Sequence, residues 1–334
     1  MSIDNIINYF YSGLNSHDIL ISLIFIVIYA ILISIMMSIF AYFFGWVERK
    51  VIAKVQRRHG PNYVGKWGIF QNLADLVKLL TKEKIMPENA DPLLLNLGPI
   101  LLVGIVTFII LLIPFSSFLQ ATNLGLGLLI IFVILGFTPI LLFITGYASG
   151  GKFAEIGAQR SVLMLISYEI PMIIVVATVG LFTGSYNLTS IISAQNNLFN
   201  VFIMPIGFFV FFVVMLAELE RPPFDLREAD SELIAGWLTD ISAPYYAIAL
   251  MLDYTRMFMG SLLIAILFFG GWSGPVLPGI LWLIIKAFII SVFIIIIRVT
   301  VVRMRIDKIL KTGWMYLIPL SIVNLLLTLI IVLK

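Results

Sequence analysis

The sequence predicts an all-α integral membrane protein with about eight transmembrane helices and one amphipathic helix lying on the membrane surface in the first cytoplasmic loop. Three observations predict it. Of 334 residues, 61% are hydrophobic and 12% charged, with a mean hydropathy of +1.10, which leaves too few charged residues to coat a soluble fold of this length. The apolar residues fall into runs near the ~20 residues a helix needs to cross the hydrocarbon layer. Lys and Arg collect in alternate loops between those runs.

Taken in order, the spans are expected at 19–45, 93–115, 124–147, 161–182, 199–217, 242–269, 279–302 and 314–333, within a single membrane domain covering 1–334. Asn15, Ser16, His17 and Asp18 precede the first run, with no basic start and no small-residue cleavage site, so it is expected to be a retained helix rather than a signal peptide. The loops after the first, third, fifth and seventh spans hold 17 of the 21 Lys and Arg. Basic residues near helix ends stay on the inner side, so these loops are expected at the inner face of a cell membrane, with both termini outside.

The first inner loop, 46–92, is too patterned to be a plain connector. Ile69, Phe70, Leu73, Leu76, Val77 and Leu80 recur at helical spacing, while Gln71, Asn72, Asp75, Lys78 and Lys82 take the other face. That helix serves equally as a surface anchor or as the wall of a cavity. Ahead of it, Arg57, Arg58 and His59 put positive charge at the membrane edge beside the helix-breaking Gly60-Pro61.

Acids within the spans are the second anomaly, because a carboxylate at the bilayer centre costs roughly 2.5 to 3.5 kcal/mol on insertion scales. Glu169 lies inside the fourth span beside Pro171, which removes a backbone donor. Glu218 closes the fifth. Asp253 lies in the sixth with Arg256 three positions on, a spacing that allows an ion pair within one helix. Each of these also reads as a neutral or paired structural group. The loop 218–241 is the densest acidic stretch, with Glu218, Glu220, Asp225, Glu228, Asp230, Glu232 and Asp240 against Arg221 and Arg227. Were 226–239 a helix, Glu228, Glu232 and Asp240 would share a face, and their repulsion would favour bound protons. A solvated acidic loop is the other reading, opposed by the apolar Ile234, Ala235, Trp237 and Leu238 around the acids.

Several chemistries are excluded or unsupported. The chain has no cysteine, hence no disulfide, thiolate-held iron–sulfur cluster or cysteine zinc site. It has no phosphate-binding glycine loop, and its two histidines, His17 and His59, form no ligand cluster. The basic residues follow membrane topology instead of forming a nucleic-acid face.

Three blocks carry a resemblance. The first comprises Glu48-Arg49-Lys50, the run from Gln56 through Arg58, His59, Gly60, Pro61 and Asn62 to Gly65, the run Gln71 to Leu80, and Pro87-Glu88-Asn89-Ala90-Asp91. The second is Ala217 to Leu233, including Glu218, Arg221, Pro222-Pro223-Phe224-Asp225, Glu228 and Glu232, and the third is Ser167-Tyr168-Glu169-Ile170. Together they resemble the H subunit of complex I, the proton-translocating NADH-quinone oxidoreductase. The match covers nearly the whole chain.

The resemblance implies a membrane subunit that forms the quinone entry and cavity and starts the charged path toward antiporter-like subunits. It implies quinone as substrate, with no iron–sulfur cluster, flavin or metal on this chain. Its partners would be the peripheral-arm subunits near the terminal cluster, small membrane subunits, antiporter-like subunits and lipid. Position by position, Glu48, Arg49, Arg58, Asp75 and Lys78 would lie around the cavity mouth or its amphipathic wall. Arg221, Asp225, Glu228 and Glu232 would belong to the loop facing the peripheral subunits, Glu169, Glu218 and Asp253 would form the buried acidic chain, and Glu228, Glu232 and Asp240 would take part in the same proton or charge path. Departures limit the transfer. Glu218-Leu219-Glu220-Arg221 stands where the family commonly reads Glu-Thr-Asn-Arg, Arg227 stands where Pro or Ala is common, and Asp240 and Asp253 stand where glutamate is usual. These point to a bacterial or archaeal lineage. Two other readings remain open: the equivalent subunit of an ion-pumping nickel–iron hydrogenase, and a stand-alone proton-coupled transporter.

Overall fold

The computed structural model describes residues 16–116, 120, 123–226, 230–275 and 277–333, and among them every regular element is helical. We number the principal helices α1 (Ser16–Val55), α2 (Gln71–Thr81), α3 (Pro92–Leu112), α4 (Gly127–Ala148), α5 (Lys152–Thr183), α6 (Leu188–Ala194), α7 (Pro205–Glu218), α8 (Ala243–Phe268), α9 (Gly279–Thr300) and α10 (Ile306–Val332). Six of them, α3, α4, α5, α8, α9 and α10, are long and apolar enough to cross a membrane, and they cover six of the expected spans. The chain is an all-α membrane protein. Its remaining two expected spans fall on α1, which at 40 residues runs ~60 Å and so well beyond the hydrocarbon thickness, and on α7, with only 14 residues.

The differences from expectation have local causes. The span expected at 199–217 is broken at Met204, because a residue before proline is driven out of helical backbone and Pro205 starts α7 afresh after a single turn, Asn200–Ile203. The last span begins earlier than expected, at Ile306, and passes through a π-helical turn at Gly313–Leu317. Pro171 sits inside α5 and leaves the Ser167 carbonyl without its helical donor. The π turn packs there: Trp314 donates Nε1 to Ser167 Oγ at 3.3 Å, and a Cβ on Gly313 would lie 3.3 Å from the Ser167 carbonyl oxygen. The helix expected over 226–239 is not continuous. One turn, Asp230–Leu233, is followed by Ile234 at φ 64 and a 3₁₀ turn at Gly236–Leu238, which destroys the register that would have put Glu232 and Asp240 on one face.

Lipid gives helices no hydrophobic reason to associate, so small residues that let backbones approach carry the packing. A Cβ on Gly98 of α3 would lie 1.9 Å from Thr145 Oγ1 of α4, and one on Gly146 would lie 2.3 Å from the Ala158 Cβ of α5. Aromatic stacking fixes α1 against α8, with Phe40 and Phe258 ring centroids 4.4 Å apart. Of the six long helices, α8 is the most enclosed, and its buried C-terminal carbonyls need partners. Gln195 Nε2 donates to Ile266 O at 2.9 Å and Asn200 Nδ2 to Leu267 O at 2.8 Å. Lys286 of α9 donates Nζ to the carbonyls of Phe269, Gly271 and Ser273 at 2.7, 2.9 and 2.8 Å. This end of α8 is thereby closed by side-chain donors, while its buried Arg256 sits at the middle of the helix.

Candidate functional site

The loop after α1 folds back on it. Trp46 donates Nε1 to the Trp67 carbonyl at 3.1 Å, Tyr42 donates its hydroxyl to the Ile69 carbonyl, and Lys50 Nζ meets Asn62 Oδ1 at 2.6 Å. Gly68, at φ 71, lies so close to Pro61 that a Cβ would sit 2.0 Å from the Pro61 carbonyl oxygen, so this crossing requires glycine. The amphipathic helix expected from the 3.6-residue pattern is α2, and the structure orients it. Its polar side docks on the bundle: Asn72 donates Nδ2 to the Tyr42 carbonyl at 2.8 Å, and Asp75 accepts from Arg49 at 2.6 Å and from Gln71 at 3.2 Å. Leu73, Leu76, Val77 and Leu80 face outward, and Lys78 is also exposed. Beside α2 opens a cleft of about 360 Å³ lined by Arg49, Ile52, Arg58, Pro61 and Gln71. Arg58 is steadied by Gln56, whose Oε1 accepts at 2.8 Å.

Behind the cleft is a cluster of buried charge. Glu48, one residue before Arg49 but turned inward, is 2% exposed, and its Oε1 accepts from Arg221 at 3.2 Å and from Arg298 of α9. Its Oε2 is buried without a hydrogen-bond partner among the described residues. The Arg221 guanidinium also stacks over the Tyr254 ring, 5.6 Å from its centroid. Next to it Arg256, 2% exposed, donates Nη1 to Glu220 Oε2 at 3.0 Å and Nη2 to the Glu218 carbonyl at 2.8 Å, with Glu218 Oε1 at 3.7 Å. The Glu218 carboxyl feels the charge of Glu169 on α5. The Glu169 Oε1 points at Gly136, between the two helical stretches of α4: a Cβ there would lie 3.5 Å from it. Five elements thus contribute to one string of ionisable groups, from Glu48 through Arg221, Glu220, Arg256 and Glu218 to Glu169.

The site residues expected from the sequence therefore separate. Arg49, Arg58 and Asp75 line or brace the cleft. Glu48 and Arg221, expected at the mouth and on the outward loop respectively, are both inside the cluster. Arg256 turns to Glu218 and Glu220. Asp253 is half-buried one turn earlier on α8, and Asp225 is half-buried between Phe224 and Leu226. Glu228 lies outside the described residues. Glu232 belongs to neither group: it bridges Arg160 at 2.5 Å and Arg303 at 2.6 Å on the surface. Like-charge repulsion does not govern it, because the hydrogen bond from Arg160 and the charge of Arg303 hold its carboxyl below the ordinary glutamate range. Asp240 packs its carboxylate against the start of α5, where a Cβ on Gly151 would lie 2.0 Å from Oδ2. Arg298 and Lys286 were not expected from the sequence, although a charge inside an apolar span is the same signal that exposed Glu169.

Fold and site together define a polytopic helical membrane protein with a basic cleft at one end of its bundle and charged side chains gathered inside. A family model described as NADH dehydrogenase matches residues 27–329, and the chain belongs to this family. The H subunit of the NADH-quinone oxidoreductase from Geobacillus sp. (strain WCH70) is 39% identical over 290 residues, covering 85% of this chain and 87% of that protein. The protein of the same name from Brevibacillus brevis is 39% identical over 292 residues, covering 86% and 87%. The H subunit of the F(420)H(2) dehydrogenase from Methanosarcina acetivorans is 36% identical over 298 residues, covering 84% and 86%.

Proposed function

We propose that this chain is the quinone-site membrane subunit of a complex I-type, proton-translocating oxidoreductase, built from one membrane domain with its loops 46–92 and 218–241 on the inner face and both termini outside. The observation that carries this reading is the string of buried ionisable groups lying directly behind the cleft beside α2. Isolated buried charges are costly, and a string of them is retained where it conducts protons or transmits charge. The name shared by the Geobacillus and Brevibacillus relatives supplies an electron acceptor, a quinone, and the Methanosarcina relative's name carries a different donor, so the donor site is assigned to another chain of the complex.

In this reading a quinone headgroup reaches the cleft from the bilayer between α1 and α2, where Arg49 and Arg58 offer hydrogen-bond donors to its carbonyl oxygens. The outward Leu73, Leu76, Val77 and Leu80 suit contact with lipid or with the isoprenoid tail. Reduction consumes protons as well as electrons, and the change of charge at the cleft acts on Glu48 and its two arginines one helical position away. From there the disturbance passes through Arg221 and Arg256 to Glu218 and Glu169, which bind or release protons toward neighbouring pump subunits. Asp240, Asp253 and Glu228 are assigned to the same path, and Asp225 and Glu232 to the surface that meets the peripheral arm. Glu169→Gln tests this. With assembly intact, the variant should translocate protons roughly tenfold or more slowly during quinone reduction in sealed vesicles; wild-type translocation would contradict the reading.

A further inference from the structure

Two neighbouring glutamates compete for one arginine, and they do not share it equally. Glu220 receives the Arg256 guanidinium in a direct ion pair at 3.0 Å, whereas the Glu218 carboxyl stands off at 3.7 Å and contributes its backbone carbonyl instead. All three side chains are almost fully buried. Glu218 Oε1 has no hydrogen-bond partner among the described residues. Among the described residues, the charged groups facing Glu218 are Arg256 from α8, Glu169 from α5 and Glu220 from the turn that follows α7. An unshared guanidinium would bind the nearer carboxylate in charge-assisted bonds and fix it in its ionised form.

We propose that Glu220 is a positioning residue: it is the counter-ion that occupies Arg256, so that the neighbouring Glu218 carboxyl stays available to bind and release protons. This rests on the placing of Glu218 in the proton path. The backbone supports the division, since Glu220 adopts φ 50, an unusual conformation for glutamate that directs consecutive acids of the 218–221 stretch differently, and the next residue, Arg221, turns to Glu48. Arg256 thus serves Glu220, Arg221 and Arg298 serve Glu48, and the Glu218 carboxyl is held at a distance from its nearest cation.

The test uses the intact complex in vesicles and reads proton translocation against pH. In Glu220→Gln the Arg256 charge passes to Glu218, which then gives up its proton more readily. The alkaline limb of the pH profile should move to lower pH by about one unit or more. Glu220→Asp keeps a counter-charge, and the position of its alkaline limb should stay nearer to wild type than that of Glu220→Gln. An assembled Glu220→Gln complex with an unshifted limb overturns the proposal. So does failure of both Glu220→Gln and Glu220→Asn to assemble, because the pair would then serve folding alone. Glu218→Gln separates this from the function proposed above: if it pumps normally, the path assignment itself fails, whereas loss of pumping in Glu218→Gln with no shift in Glu220→Gln removes only the role of Glu220.

Discussion

Replacing Glu48 by alanine should prevent stable assembly of the chain into its complex. Among the described residues, Glu48 is the one carboxylate that Arg221 and Arg298 share, and arginine cannot discharge itself by losing a proton. The side chain of Arg298 is 32% exposed and can turn toward water, but that of Arg221 is 10% exposed and would be left buried over the Tyr254 ring. Breaking a buried pair in this way costs about 3–5 kcal/mol. That is a large share of the ~5–15 kcal/mol by which folded proteins are stable. Native electrophoresis of membranes carrying Glu48→Ala should show little intact complex, and Glu48→Gln, which preserves an acceptor but no charge, should fall between the two. Wild-type amounts of Glu48→Ala complex would mean that the arginines are satisfied by other groups.

Arg256→Leu should have a different signature although it too breaks contacts to two partners. It takes the nearby guanidinium away from Glu218, and a buried carboxyl escapes its desolvation cost by taking up a proton. The neutral form of Glu218 is favoured as pH falls, so the yield of assembled Arg256→Leu complex should decline as pH rises, unlike that of Glu48→Ala, whose arginines stay charged throughout. Proton translocation should be lost in whatever complex assembles, because an acid that the fold tolerates only in its protonated form cannot release that proton. A yield independent of pH would show that Glu218 is not neutralised in the variant.

What the sequence revealed and what it hid follow from range. Apolar runs near the bilayer thickness identify spans directly, and the alternation of Leu73, Leu76, Val77 and Leu80 with Asn72 and Asp75 identifies α2 within one window. The orientation of α2 was not legible, because its docking partners Tyr42 and Arg49 lie 30 and 26 positions away. The charge cluster joins residues 36, 173 and 250 positions apart, so local spacing suggested an Asp253–Arg256 pair while the fold brought Glu220 to Arg256 and Arg298 to Glu48. In the acidic loop, Ile234 at φ 64 interrupts a helix that composition alone permits, and of the acids on its shared face Glu232 goes to Arg160 and Arg303 and Asp240 to the start of α5. Acids inside apolar spans were conspicuous by cost, but their cations were recognisable only in three dimensions.

Quinone is expected to meet this chain in the cleft beside α2, and every step of the proposed charge path starts there. The most direct measurement is photolabelling of the intact complex with a short-chain azidoquinone, followed by peptide mapping and competition with excess native quinone. The label should fall in the segment from Arg49 to Gln71 and disappear on competition. Label confined to the opposite end of the bundle, around Gln195 or Trp272, or an absence of competable label from this chain, would contradict it.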